Sequence, residues 1–451
     1  MPDGRMTKIS EEKVPSGWRA TSLGSVADVC VSGVDKLTRE SEEPVRLCNY
    51  IDVYNNDYIT GDLMFMQASA TTTEIERFGL RVGDVIITKD SETPDDIGIS
   101  AVVDYAASDL VCGYHLALLR PNAGEVDSTF LAKQLKHHRL ARYFGQRANG
   151  LTRYGLPNAV ITNAPVWLPE LLEQRTIGAI LRWADEAIAK TEAVIAKLKQ
   201  VRAGLLHELL TRGLDENGQL RDPIAHPEQF QDSPLGPLPS EWSLETLGER
   251  LKQSSGIVQT GPFGSQLHAH EYRTEGIPVI MPQDIREGGF DDTQIARISI
   301  TKADELRRHR VRQGDLIFAR RGDLSRCAAV TEREVGWLCG TGCLLMRFEQ
   351  TNLSPTWLSL AYRHDAGQRQ IAARAVGTTM VNLNTTLLAH LVFAFPRKQE
   401  QEQIVKRIDE AESTIQKESE NLSKMGLLKS GLTDDLLRGR VRVPEGIAVA
   451  G

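Results

Sequence analysis

Apolar residues in this chain follow two rhythms, and both occur twice. Short runs of Val, Ile and Leu bounded by Gly, Asp or Asn predict buried strands: Val85-Ile86-Ile87 after Gly83-Asp84, Leu116-Ala117-Leu118-Leu119, Leu316-Ile317-Phe318 after Gly314-Asp315, and Cys343-Leu344-Leu345-Met346. Longer stretches space their apolar positions alternately four and three apart. Ile177, Leu181, Ala184, Ile188, Thr191, Ile195, Leu198, Arg202, Leu205 and Leu209 trace one seam. Ile404, Ile408, Ala411, Ile415, Glu418, Leu422, Met425, Lys429, Leu432 and Leu436 trace another, 227 residues later. A mean spacing of 3.5 is the coiled-coil repeat, and Glu418 and Lys429 interrupt the second seam. Matched length and phase predict that the two helices pair with each other; two independent helices, each packed on its own domain, is the alternative. A helix of about 40 residues would be on the order of 60 Å long.

The strand motifs repeat as well. Pro15-Ser16-Gly17-Trp18 with Leu23-Gly24 returns as Pro239-Ser240-Glu241-Trp242 with Leu247-Gly248, and Cys112-Gly113 returns as Cys339-Gly340. Pro169 and Glu173-Gln174 return as Pro396 and Glu400-Gln401, and Gly204-Leu205 as Gly431-Leu432. A repeat this long marks a duplicated domain. Helical stretches over about 128–146 and 355–375 lie between the strands and the long helices, and a connection rich in Gly, Pro, Asp and Gln follows Gly213. The expected organisation is a flexible N-terminus (1–13), a first α/β domain (14–168), a long helix (169–212), a linker (213–236), a second α/β domain (237–395), a second long helix (396–438) and a tail (439–451). The fold class is therefore mixed α+β.

Composition narrows the function. A hydrophobic fraction of 41% supports real cores. No apolar run is long enough to span a bilayer and no signal-peptide pattern opens the chain, so the expected location is cytoplasmic. Six scattered cysteines fit a reducing compartment. Cys339 and Cys343 have no matching second pair and are read as small buried residues. A net charge of −7 argues against a generic polybasic nucleic-acid binder, while leaving room for cations gathered on one face. Catalytic patterns are missing: there is no phosphate-binding Gly-x-x-x-x-Gly-Lys loop, no His-Glu-x-x-His, no nucleophile elbow and no Asn-Pro-Pro-aromatic motif. Gly340-Thr341-Gly342 lacks a third glycine and precedes a strand, so it is read as a turn. His268-Ala269-His270-Glu271 lacks further spaced ligands. No catalytic residue, metal or bound cofactor is expected on this chain.

Several loops carry side chains suited to phosphate and base. Arg307-Arg308-His309-Arg310-Val311-Arg312 precedes the second Gly-Asp strand, and Arg320, Arg321 and Arg326 follow it around Gly322. Guanidinium groups bind phosphate oxygens bidentately and read guanine edges, although a solvated charged face is the ordinary alternative. Ser265 sits in the constrained loop Gly261-Pro262-Phe263-Gly264-Ser265, and Gln283 precedes Asp284-Ile285. Arg147, Thr152, Arg153 and Tyr154 lie before the first long helix; Thr378, Thr379, Asn382 and Asn384 hold the corresponding place before the second. Lys89 follows the first Gly-Asp strand but is surrounded by Asp90, Glu92, Asp95 and Asp96. A loop of that charge must read a base donor or stay clear of phosphates, so the two halves are expected to recognise different things.

This order of motifs resembles the specificity subunit of type I restriction–modification systems. The match rests on the Pro15–Trp18 and Leu238–Trp242 openings, Gly261-Pro262-Phe263-Gly264-Ser265, Ile277-Pro278-Val279-Ile280 leading to Asp284-Ile285, and the Gly-Asp strands. It continues through Gly377-Thr378-Thr379 with Asn382-Leu383-Asn384, the Pro-x-x-x-Glu-Gln helix entries, and the helix ends Leu209-Leu210-Thr211-Arg212-Gly213 and Leu436-Leu437-Arg438-Gly439. The resemblance implies two target-recognition domains whose long helices pair as an antiparallel coiled coil. It implies a non-catalytic subunit that binds a split, asymmetric site in double-stranded DNA, one half per domain. Two methyltransferase subunits using S-adenosylmethionine, and restriction (motor) subunits using ATP and Mg, would be its partners. Two recognition heads on one groove face are expected about one helical turn apart, roughly 34 Å or a near multiple, so helix length would set the unspecified bases between half-sites. A stand-alone two-headed DNA-binding regulator and a protein-interaction adaptor are the alternatives.

Overall fold

The computed structural model describes residues 13–349, 352–375 and 382–443. It divides into two compact units: Met1–Ala193 with Ser419–Gly451, and Val194–Glu418. The predicted flexible N-terminus apart from Lys13, most of the predicted tail, and Thr378 and Thr379 lie outside the described residues.

In the first unit a five-stranded sheet runs Ala27–Val31, Leu116–Pro121, Val85–Thr88, Ser100–Val103 and Tyr58–Ile59, antiparallel except for the last pair. Beside it, Glu43–Cys48 pairs parallel with Leu110–Cys112 and antiparallel with Met66–Ala70. Arg19–Ser22 pairs with Pro165–Leu168, which ties the start of the domain to the strand that feeds the long helix.

The second unit repeats this plan. Ile257–Thr260, Cys343–Arg347, Leu316–Ala319 and Cys327–Ala329 form the antiparallel sheet. Ile277–Ile280 pairs parallel with Leu338–Cys339 and antiparallel with Arg297–Ile298. Ser243–Thr246 pairs with Val392–Phe395. Strand burial is complete over Val85–Thr88, Leu316–Ala319 and Cys343–Arg347, as the continuous apolar runs predict. Cys339 and Cys343 are both buried in the core.

The repeated Gly-Asp motif builds a turn with a buried charge. Asp84 accepts the Arg81 backbone N–H at 2.9 Å and pairs with Arg120 at 3.3 Å. Asp315 accepts the Arg312 N–H at 2.8 Å, and the Arg347 guanidinium donates to both its oxygens at 2.7 and 2.5 Å. The acid thus caps the turn and fixes the neighbouring strand. Each predicted helical stretch is in fact two helices, Ser128–Lys136 with His138–Gly145 and Pro355–Arg363 with Asp365–Ala375. The breaks fall on His137 and His364, both in extended backbone.

The long helices are Leu171–Thr211 and Lys398–Leu437. In the first unit Ile177 and Leu181 share a core with Leu436 and Leu437. In the second, Leu209 and Leu210 share one with Ile404 and Ile408. The start of one helix therefore lies against the end of the other within each unit. Ile177, Leu181, Ile195, Ile404, Ile408 and Ile415 are buried, and Ile188, Leu198, Leu205, Leu422 and Met425 are half-buried. Leu432 departs from the expected seam, being 37% exposed. An α-helix of 3.6 residues per turn drifts away from a 3.5-residue repeat, so that Thr433 and Leu436 take the inward positions.

The two polar interruptions are explained in part. Lys429 pairs with Asp185 of the first helix and lies 3.9 Å from Asp57. Its repeat partner Arg202 pairs with Glu412 at 2.6 Å and Glu287 at 2.7 Å. A basic group on the seam, answered by an acid of the facing helix, fixes register. Glu418 is half-buried, with no such account. No helix of the described residues is long and apolar enough to cross a membrane.

Candidate nucleic-acid interface

In the second unit the chain leaves the strand Leu316–Ala319 at Arg320, turns through Gly322, and returns at Cys327. Asp323 organises this loop by accepting from the Ser325 hydroxyl at 2.5 Å, the Ser325 N–H at 3.0 Å and Arg326 Nε at 3.2 Å. Arg326 Nη1 donates to the carbonyls of Pro282 and Gln283 at 3.3 and 3.2 Å, which joins the Gln283 segment to the arginine loop. The Arg320 N–H donates to Gly342 and its carbonyl accepts from Leu383. Thr341 donates to the Pro262 carbonyl at 3.0 Å, and Gly261 N–H to Cys343.

The segments around Ser265, Gln283, Arg320–Arg326 and Asn382–Asn384 are thus brought to one end of the sheet, although far apart in sequence. Ser265, Gln283, Arg321 and Asn382 are exposed there. Arg320 is half-buried, and its Nε has no acceptor among the described residues. Asn384 caps the helix Thr385–Ala389, its side-chain oxygen accepting from Leu387 N–H at 2.7 Å. That oxygen is committed to the fold, which leaves the amide nitrogen for any contact. In the preceding cluster Arg310 pairs with Asp304 at 2.8 Å and Arg312 with Glu349 at 3.4 Å, so these two cations are answered internally.

The first unit puts Lys89 in the same backbone environment. Its N–H donates to His115 and its carbonyl accepts from Leu156, matching the bonds of Arg320. Asp90-Ser91 pairs antiparallel with Tyr154-Gly155, which draws Thr152, Arg153 and Tyr154 to this end of the sheet. The chemistry differs. Asp90 takes Lys89 at 3.0 Å and His115 at 2.7 Å. A cleft of about 450 Å³ opens here, lined by Tyr50, Ile51, Asp90, Ser91, Glu92, Asp96, His115 and Arg153. Thr152 and Arg153 are exposed, Tyr154 is half-buried, and Arg147 is exposed with its guanidinium 4.2 Å from the Tyr143 ring centre. A larger cavity, about 700 Å³, lies at the opposite end of the strand, around the Gly83-Asp84 turn, Arg120 and Asp127. Its lining includes the Gly-Asp turn, the motif that the second unit repeats at Gly314-Asp315.

Sequence reasoning flagged the other repeated motifs without finding their task, which is to close the domain framework. Gln174 donates to the Pro169 carbonyl at 2.9 Å and accepts the Asp127 N–H at 3.1 Å; Gln401 does the same with Pro396 at 2.8 Å and Ser354 at 2.7 Å. Asp127 and Ser354 are themselves the N-caps of the helices that follow them. Glu173 takes both nitrogens of a bidentate Arg442 at 2.7 Å. Glu400 accepts from Arg221 at 2.7 Å, Leu214 N–H at 2.8 Å and Trp242 Nε1 at 3.2 Å. Each acid at the start of one long helix therefore clasps the segment leaving the other. The glycines at those exits leave no room for a Cβ: Gly213 lies against Glu400 and Trp242, and Gly439 against Pro15 of the Pro-Ser-x-Trp opening. This explains the pairing of a Pro-Ser-x-Trp opening with a helix that ends in glycine.

Residues 267–424 match the family described as the type I restriction modification DNA specificity domain. The MjaVIII type I restriction enzyme specificity subunit of Methanocaldococcus jannaschii is 22% identical over 64% of this chain and 65% of that one. The chain spans 61–65% of the length of two such archaeal relatives. The EcoKI specificity subunit of Escherichia coli K12 is also 22% identical, over 96% of this chain and 91% of the relative. The crystal structure of a type I restriction-modification system S subunit from M. genitalium superposes with a TM-score of 0.54 at 17% identity, covering 93% of this chain and 96% of that one.

Proposed function

We propose that this chain, a member of the type I restriction–modification specificity-subunit family, selects DNA for a larger enzyme. Each α/β domain would read one half of a split, asymmetric site in double-stranded DNA. The chain itself would be non-catalytic and cytoplasmic. Two methyltransferase subunits would bring S-adenosylmethionine, and restriction subunits would bring ATP and Mg. The long helices would pair as an antiparallel coiled coil and set the length of the unread spacer.

One observation carries the reading. Lys89 and Arg320 occupy the same place at the end of the same strand, with the same main-chain bonds and different side-chain surroundings. A duplicated scaffold that varies at matched loops suits a target with two unlike halves. In the second domain Arg320, Arg321, Ser265, Gln283 and Asn382 supply donors for phosphate and guanine. Thr378 and Thr379 are proposed to join them. In the first, Asp90 and Glu92 can accept from the exocyclic amines of cytosine or adenine, while Arg147, Thr152, Arg153 and Tyr154 position the backbone.

The test is a modification map. The chain is co-expressed with its candidate methyltransferase subunit in a host lacking that methylation, and genomic methyladenine is sequenced. A split motif with unspecified central bases, absent without this chain, is expected. No new methylation, with both proteins soluble and co-purifying, would count against the proposal. Binding without sequence preference or steep salt dependence would favour a protein adaptor instead.

A further inference from the structure

Two clusters related by the duplication sit where a broken helix meets the end of a long helix. In the first unit His137 Nε2 and His138 Nδ1 lie 3.2 and 3.6 Å from Asp434 Oδ1. In the second, His207 Nδ1 lies 3.2 Å from His364 Nε2, with Asp365 beside them; the three ligand atoms fall within 4.8 Å of one another. The offset of 227 maps His137 to His364, His138 to Asp365 and His207 to Asp434. Each cluster therefore holds two imidazoles and one carboxylate on the same three backbone positions, with one histidine and the acid exchanged.

They differ in what already balances the acid. Asp434 is paired with Arg440 at 2.7 Å and Arg438 at 3.6 Å, so an incoming cation would have to displace guanidinium groups. Arg369 donates to the backbone carbonyl of Asp365, at 3.4 Å, and not to its carboxylate. No lysine or arginine pairs with that carboxylate among the described residues. The extended backbone at His364 separates the two helices and sets the ring of one residue and the acid of the next at one corner. A tetrahedral ion bonded to imidazole nitrogens at about 2.0–2.1 Å holds its ligand atoms roughly 3.3 Å apart. The spacing of 3.2 Å between His207 and His364 fits that edge.

We propose that His207, His364 and Asp365 form a site for a divalent transition metal of the zinc class, with water completing its coordination. Imidazole and carboxylate together suit zinc, cobalt or nickel better than magnesium or calcium. The ion would join the last turns of the first long helix to the helix break of the second domain.

The full chain, stripped with a chelator, is titrated with zinc chloride by calorimetry and with cobalt chloride by visible absorption. One zinc per chain is expected, with cobalt bands of a four-coordinate site. Asp365→Asn preserves the contact between the imidazoles, and should weaken zinc binding at least tenfold and remove the rise in unfolding temperature that zinc gives the parent chain. His207→Ala and His364→Ala should abolish uptake, and His137→Ala should leave it intact. Three results would overturn the proposal: no uptake by a folded chain, in which case the imidazoles simply hydrogen-bond each other; uptake unchanged by Asp365→Asn and His364→Ala; or uptake lost with His137→Ala.

Discussion

The two α/β domains share a framework and differ where the framework ends. Both carry the Gly-Asp turn with its buried acid answered by an arginine, and both pin a helix cap with the glutamine that opens a long helix. At the far end of the same strand, Lys89 is answered by Asp90, and the Arg320 Nε has no acceptor among the described residues. Duplication kept the acid–arginine pairs of the framework and varied the half-buried loop ends. Removing one member of a fully buried pair is strongly destabilising, which holds those positions, whereas the loop ends are less tightly constrained.

Breaking the framework should produce the largest effects, and unequal ones. Asp315 is 1% exposed and its partner Arg347 would be left buried and unpaired, so Asp315→Ala should cost about 3–5 kcal/mol of stability. Asp84→Ala should cost less, because its partner Arg120 is more exposed and more distant. Denaturant unfolding of both variants checks this; equal losses would show that the two turns are energetically alike.

The loops should respond next, one half-site at a time. On the proposed function, Arg320→Ala should weaken DNA binding by the assembled enzyme by about 1–3 kcal/mol and relax preference only in the half-site assigned to the second domain. Asp90→Asn should alter only the other half-site. Competition binding with DNA changed in one half at a time separates the two, and a change in both halves from either variant would remove the assignment.

A titration distinguishes the domains more finely. His309 ends the short helix before the second Gly-Asp turn, where the first domain has Phe78, and both are buried. Burial, with Arg308 beside it, pushes His309 down to about 4. The unfolded chain, with an ordinary histidine near 6.5, takes up the proton first as pH falls. This contribution is complete above about pH 6.5 and drains away as the pH falls towards 4. His309→Phe should flatten that part of the stability–pH curve; an unchanged curve would mean other groups carry it. Smallest of all, Leu432→Ala should change stability by less than about 0.5 kcal/mol, as befits an exposed position. A loss as large as that of Leu436→Ala would return Leu432 to the seam.

Much of the architecture was legible in the sequence, because burial leaves a periodic mark. The continuous runs at Val85–Thr88 and Leu316–Ala319 and both long helices were predicted within a few residues. Leu432 was misplaced because a small angular drift builds up along a helix whose repeat is read as 3.5. The tasks of Glu173, Gln174, Glu400 and Gln401 were not legible: repetition marked them, but their partners lie far away in the chain. Gathering Ser265, Gln283 and Arg320 at one end of a sheet likewise depends on strand order, which short apolar runs do not encode. The His207–His364 contact left no sequence signal beyond its echo in His137 and Asp434.

Leu436 and Leu437 close a core that Trp18, Ile177 and Leu181 begin. A ribosome making the chain finishes that core last. At about 5–20 residues per second, roughly 10–50 seconds separate the emergence of Leu181 from that of Leu436. Through that interval the first domain stands with an apolar stripe open to its surroundings, so any early termination leaves a nascent head without its closing strut.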